Sequence, residues 1–140
     1  MLNINIEIDN FPNFSKLAEK VADTVIKHLK AQEPVINLLL SDDQTIRKLN
    51  KQYRNFDKPT NVLSFAYEDE EELGDIIISM ETLQREAEEK GIPLEHHFTH
   101  LLIHGILHLF GHDHINDVEA EAMEKLEVEI LSELGIENPY

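Results

Sequence analysis

The sequence contains no cysteine. That absence excludes a disulfide framework, thiolate metal ligands and a cysteine nucleophile together, and it fits a reducing compartment. Cations are scarce: 12 Lys and Arg face 28 Asp and Glu, a formal net charge of −16. At face value this balance argues against a nucleic-acid binder, because phosphate contacts draw on Lys and Arg. Long apolar runs are missing as well. The longest, Leu101–Phe110, has ten residues and is interrupted by His104 and His108, whereas a spanning helix needs about 20. The opening MLNINIEIDN alternates polar and apolar residues, with neither a basic start nor a continuous apolar region, so it does not read as an export signal. These absences predict a soluble, cytoplasmic protein with no membrane partner. There is no repeat, no low-complexity segment and no linker, so residues 1–140 are expected to form one domain.

What is present reads as an α+β chain. Leu2, Ile4, Ile6 and Ile8 alternate with polar residues, the pattern of a half-buried strand. Phe14, Leu17, Ala18, Val21, Val25 and Leu29 follow helical spacing, and Val35–Leu40 is a short apolar run that predicts a buried strand. Ser41-Asp-Asp-Gln44 matches a capping box, opening a helix with Ile46, Leu49 and Tyr53 on its apolar stripe. Val62–Phe65 and Ile76–Ile78 predict two further strands, and the acidic run Glu68–Glu72 between them predicts a solvated loop. Met80–Lys90 and Glu95–Phe110 predict helices, the second ended by Gly111. Asn116 is the expected cap of a last helix reaching Gly135, with Val118, Ala122, Met123, Leu126, Ile130 and Leu134 turned inward. The order β-α-β-α-β-β-α-α-α predicts a small mixed four-stranded sheet packed with about five helices.

Seven of the eight histidines lie between residues 96 and 114. His97, His100, His104 and His108 recur every three or four residues and share one helix face. His104 and His108, at i and i+4, can converge on one metal ion, and a turn at Gly111 can bring His114 back to them. Three imidazoles and one open position form the ligand set of a catalytic zinc site, which lowers the pKa of a bound water toward ~7. One Zn2+ per chain is expected. The spacing is that of metzincin peptidases, but their general-base glutamate would fall at residue 105, which is Gly105. Without a base, peptide chemistry is disfavoured relative to phosphoester chemistry, where metal and cation stabilisation of phosphoryl oxygens does more. Glycine there would also leave room for a bulkier substrate. His97 and His100 are read either as ordinary helix residues or, for His100, as a neighbour of the ligands or substrate. His112 is read as a turn residue ahead of a substrate contact or an extra ligand.

A second signal is Arg47–Lys58, where Arg47, Lys48, Lys51, Arg54 and Lys58 oppose only Asp57. Arg54 is expected beyond the helix in a proline-limited loop that can aim it at a site, and its planar fork suits phosphate oxygens.

HGILHLFGHDH at His104–His114, LNKQYRNFDKPTNVLSF at Leu49–Phe65, GDIIIS at Gly74–Ser79 and the acidic EAEAMEKLEVEIL at Glu119–Leu131 together resemble the YbeY family. Its members are bacterial endoribonucleases, also called rRNA maturation factors, and the resemblance covers nearly the whole chain. It implies a zincin-like fold and zinc-dependent cleavage of single-stranded RNA, chiefly maturation of the 3′ end of 16S rRNA, together with ribosome quality control. Ribosomal RNA and small-subunit proteins are the implied partners, and DNA is not. By position, His104, His108 and His114 match the zinc ligands and Arg54 the functional arginine; His112 stands where the family usually has tyrosine. The general acid is unassigned, with His100 and Asp113 as candidates. A zinc peptidase and a non-catalytic ribosome-assembly module are the rival readings.

Overall fold

The computed structural model describes residues 1–69 and 71–140. The alternating start forms strand β1 (Leu2–Ile6), followed by helix α1 (Ser15–His28), strand β2 (Val35–Ser41) and helix α2 (Asp43–Arg54). Strands β3 (Val62–Ala66) and β4 (Glu72–Ser79) come next, then helices α3 (Met80–Lys90), α4 (Leu94–Leu109) and α5 (Asp117–Glu133). Among the described residues the fold is α+β, with five helices and one mixed sheet of four strands, in the element order read from the sequence. Sheet order is β1-β2-β4-β3, with β1, β2 and β4 parallel and β3 antiparallel to β4. No described helix is long and apolar enough to cross a membrane.

Helices pack on both faces of the sheet at its centre, which is why β2 and β4 carry the unbroken apolar runs Leu38–Leu40 and Ile76–Ile78 there rather than alternating. Ile36, Leu38, Leu40, Ile76 and Ile78 face the main core with α1, α4 and α5, whereas Leu39 and Ile77 face Ile46 and Leu49 of α2. Helix α4 is buried nearly all round: Phe98, Leu102, Ile103, Ile106 and Leu107 have no exposed surface. A helix apolar on every side must be central, so its C-terminal histidines are held on a rigid element.

Several local expectations shift. The cap of α2 is Asp42, which accepts from the Thr45 amide at 2.8 Å. Ser41 cannot serve because it is still paired in the sheet, opposite Ser79. Tyr53 is 62% exposed rather than part of the core stripe. In α5, Asn116 caps as expected, accepting from the Glu119 amide at 2.9 Å. Met123, Leu126, Ile130 and Leu134 meet the core as expected, joined by Glu127 and Leu131, while Val118 and Ala122 are exposed. Helical phase explains this: Val118 and Ala122 lie on one i, i+4 row, and the row beside it carries Met123 and Glu127. Of the acidic run, Glu70 lies outside the described residues; Glu68, Asp69, Glu71 and Glu72 are exposed, and Glu72 already begins β4.

Candidate metal centre

The α4 register sets His104 and His108 one turn apart, with ring centroids 4.5 Å apart and their Nε2 atoms 3.0 Å apart. The helix then stops. Gly111 takes φ +95°, and the His112 amide donates to Leu107 O at 3.0 Å, reversing the chain. The reversal carries His114 back until its ring lies 5.6 Å from that of His104 and 5.2 Å from that of His108. One ring nitrogen from each of the three falls within 4.8 Å of the others. His104 and His108 are half-buried and His114 is exposed, so the cluster opens to solvent on one side.

The donor set fits a divalent ion. Burial, then the neighbouring His104 and His114, holds the His108 pKa below the ordinary value, which favours the neutral imidazole a metal requires. The cluster also sits at the C-terminal end of α4, where the helix dipole favours a cation.

Behind His104 lies a residue that the sequence reading missed. Glu127 of α5 is completely buried, and its carboxylate accepts from His104 Nδ1 at 2.5 Å, from His100 Nε2 at 3.3 Å and from the Tyr140 hydroxyl. Burial pushes the Glu127 pKa up, but these three hydrogen bonds outweigh it and bring the group down to about 2. Burial and the same carboxylate raise the Tyr140 phenol. A sequence signal did exist: Glu127 occupies the position between Met123 and Ile130 that a core-facing apolar residue would hold. A lone carboxylate in that face calls for partners.

Arg54 is the last residue of α2, not a loop residue; the chain leaves the helix at Asn55, whose φ is +64°. Its guanidinium donates from Nη2 to Ser64 O at 2.8 Å and lies 5.4 Å from the centroid of the Phe65 ring. Arg54 and Ser64 line a cavity of about 560 Å³ together with His104, His108, His112 and His114. The tertiary fold therefore brings the arginine and all three histidines to one space.

The remaining histidines separate clearly. His97 is buried, with Nε2 3.0 Å from Glu86 Oε1, and burial lowers its pKa; it ties α4 to α3. His100 belongs to the Glu127 cluster and not to the cavity wall. His112 lines the cavity but is not among the three converging residues. Asp113 also lines it, and accepts from the His114 amide at 2.8 Å. Gly105 does not open space for substrate: a Cβ there would meet Ile76 Cγ2 at 3.1 Å and Ser64 Oγ at 3.3 Å. Its missing side chain lets α4 press against the sheet.

The sequence signature described as Endoribonuclease YbeY matches residues 3–135. The chain belongs to the YbeY endoribonuclease family. An Endoribonuclease YbeY from Sinorhizobium fredii is 45% identical over 157 aligned positions, covering 99% of this chain and 91% of the relative. One from Francisella philomiragia is also 45% identical, over 99% of this chain and 95% of its own length. Among solved structures, the solution structure of a Thermotoga maritima protein superposes with a TM-score of 0.66 at 28% identity, covering 96% of this chain and 92% of that one. Tyr140 lies outside the matched residues.

Proposed function

We propose that this chain is a zinc-dependent endoribonuclease that cuts single-stranded RNA, using His104, His108 and His114 as metal ligands and Arg54 as the charge-stabilising residue. The carrying observation is the convergence of three imidazoles on one space with an arginine in the same cavity wall. Named relatives that are endoribonucleases support RNA as the substrate class. Within that class, the reading is maturation of the 3′ end of 16S rRNA and quality control of ribosomes in the cytoplasm, with small-subunit proteins as partners and all 140 residues acting as one domain.

One Zn2+ held by the three histidines would supply Lewis acidity toward a phosphoryl oxygen and acidify a water. Arg54 keeps its fork oriented by donating to Ser64 O, which leaves other N–H groups to meet the phosphate as charge develops. Of the two acid–base candidates, only Asp113 lines the cavity; His100 is turned to Glu127 and Tyr140 behind His104. The peptidase reading is weakened by where the carboxylates lie. Glu127 has no exposed surface and has both oxygens engaged behind the ligand, and residue 105 faces the sheet. A structural zinc site normally closes with a fourth protein ligand, whereas the convergent group among the described residues has three members.

The deciding experiment pairs metal analysis with cleavage of single-stranded RNA. Wild type is expected to hold one zinc per chain and cut; His108→Ala is expected to lose both. A zinc-free His108→Ala protein that cuts RNA at the wild-type rate would end this reading.

A further inference from the structure

The geometry points to Glu127 as the positioning residue of the metal centre. By accepting from His104 Nδ1, it holds His104 in the tautomer whose Nε2 lone pair faces the ligand cluster, and Tyr140 and His100 hold Glu127 in place. The inference deepens the proposed metal site and rests on it.

Three observations carry it. First, Glu127 sits in an otherwise apolar helix face, between Met123 and Ile130, with no exposed surface. A buried carboxylate is costly unless fully partnered, and here its partners are a proposed ligand, the histidine one turn before that ligand, and a phenol. Second, an ionised carboxylate can only accept, so the 2.5 Å contact places the His104 proton on Nδ1. His104 Nε2 is then an acceptor, consistent with His108 Nε2 lying 3.0 Å from it as the donor. A free neutral imidazole prefers its proton on Nε2, the nitrogen a metal would need, so the carboxylate reverses the intrinsic preference. Third, Tyr140 donates to Glu127 and stands with its ring centroid 5.4 Å from that of His100, edge to face. The carboxylate is thereby held through Oε2 while His104 meets Oε1, and its orientation is not left to α5 alone.

The charge also matters. Three neutral imidazoles around a dication leave two positive charges in a half-buried site, and a carboxylate one hydrogen bond behind a ligand offsets one of them. Glu127 thus acts through His104. It is not placed as a base, because it has no exposed surface and does not line the cavity shared by Arg54 and the three histidines.

The test reads tautomer and zinc affinity, not only turnover. In metal-free wild type, two-bond 1H–15N correlation spectra should show His104 protonated on Nδ1, and chelator competition gives the reference zinc affinity. In Glu127→Leu, His104 should move to the Nε2-protonated form and zinc affinity should fall by roughly 10- to 100-fold. Glu127→Gln can still accept from Nδ1, so it should keep the tautomer yet bind zinc more weakly; Tyr140→Phe should show the same direction with a smaller loss. Co2+ absorption in place of Zn2+ should change in the Leu and Gln variants at unaltered far-UV CD. A folded Glu127→Leu protein with His104 still protonated on Nδ1 overturns the inference. Should the Leu variant not fold, wild-type zinc affinity and Co2+ spectrum in Glu127→Gln overturn it instead. Because the tautomer is read without metal, failure of wild type to bind zinc would sink the metal reading and leave this arm decisive by itself.

Discussion

At the scale of single residues, the site sets one arginine across a small space from three converging imidazoles. Arg54 is exposed and tethered by one N–H to Ser64 O, so its charge is available while its direction is not free. Arg54→Glu is expected to bind zinc as wild type does but to cut single-stranded RNA roughly 100-fold more slowly or worse, the usual penalty for losing a transition-state donor. Metal analysis beside the RNA assay checks it; loss of zinc would mean the substitution acts through folding. Gly74 shows a different constraint. It adopts φ +155° at the point where the β2–β4 register skips a residue, and a Cβ would lie 2.2 Å from Phe65 O and 2.8 Å from Leu109 Cδ2. Backbone cannot yield as a side-chain tip can, so Gly74→Ala should destabilise by roughly 3 kcal/mol or more, measured by urea unfolding. Near-wild-type stability would contradict the close strand approach that places β3 beside α4.

At the scale of elements, helices are tied to one another by charged contacts that the core does not supply. His28, at the end of α1, bonds Glu133 at 2.8 Å and Glu129 at 3.2 Å, both on α5. Its pKa is raised, first by Glu133, against burial, with Glu129 assisting. A histidine raised in the folded state contributes its full stability below the ordinary value of 6.5 and loses it as pH rises through the higher folded value. The stability gap between wild type and His28→Leu should therefore be widest near roughly pH 5.5, at up to about 1 kcal/mol, and shrink by roughly pH 8.5. Chemical denaturation at both pH values checks this; a gap that grows with pH would refute it. Comparing variant with wild type removes the contribution of the other histidines. The element order was legible in the sequence because it depends on local periodicity and on caps such as Asn116. Most of the inward face of α5 was legible too, since Met123, Leu126, Ile130 and Leu134 all meet the core, but the place of Glu127 in it was not. Choosing Ala122 and Val118 over Glu127 follows hydropathy, and only the partners of Glu127 make its burial tolerable.

At the scale of the whole molecule, the charge of −16 limits how RNA can be held without forbidding it. After Gly91 one cation, Lys125, stands among ten acids, and Glu68–Glu89 holds ten more. The cationic stretch is further depleted by its own acid, since Asp57 bonds Arg47 at 2.8 Å and sits 4.0 Å from Lys51. Lys48, Arg54 and Lys58 remain, so affinity for a single strand should be weak and fall with salt at a log–log slope of roughly −2. Filter or anisotropy titrations across salt concentrations measure it. A slope steeper than about −4 would mean that a broader cationic surface takes part.

Short-range rules determined much of the site. The i, i+4 pair His104–His108 and the glycine turn that returns His114 are properties of about a dozen consecutive residues, and such geometry can be read from a sequence. Contacts between residues far apart in the chain belong to the tertiary structure alone. Glu127 reaches His104 across 23 positions, and Ser64 reaches Gly105 across 41. The side of α4 that meets the sheet, and hence the inward-facing Gly105 and the carboxylate held behind His104, was decided by packing, because helix periodicity names a face but not the neighbour it will meet.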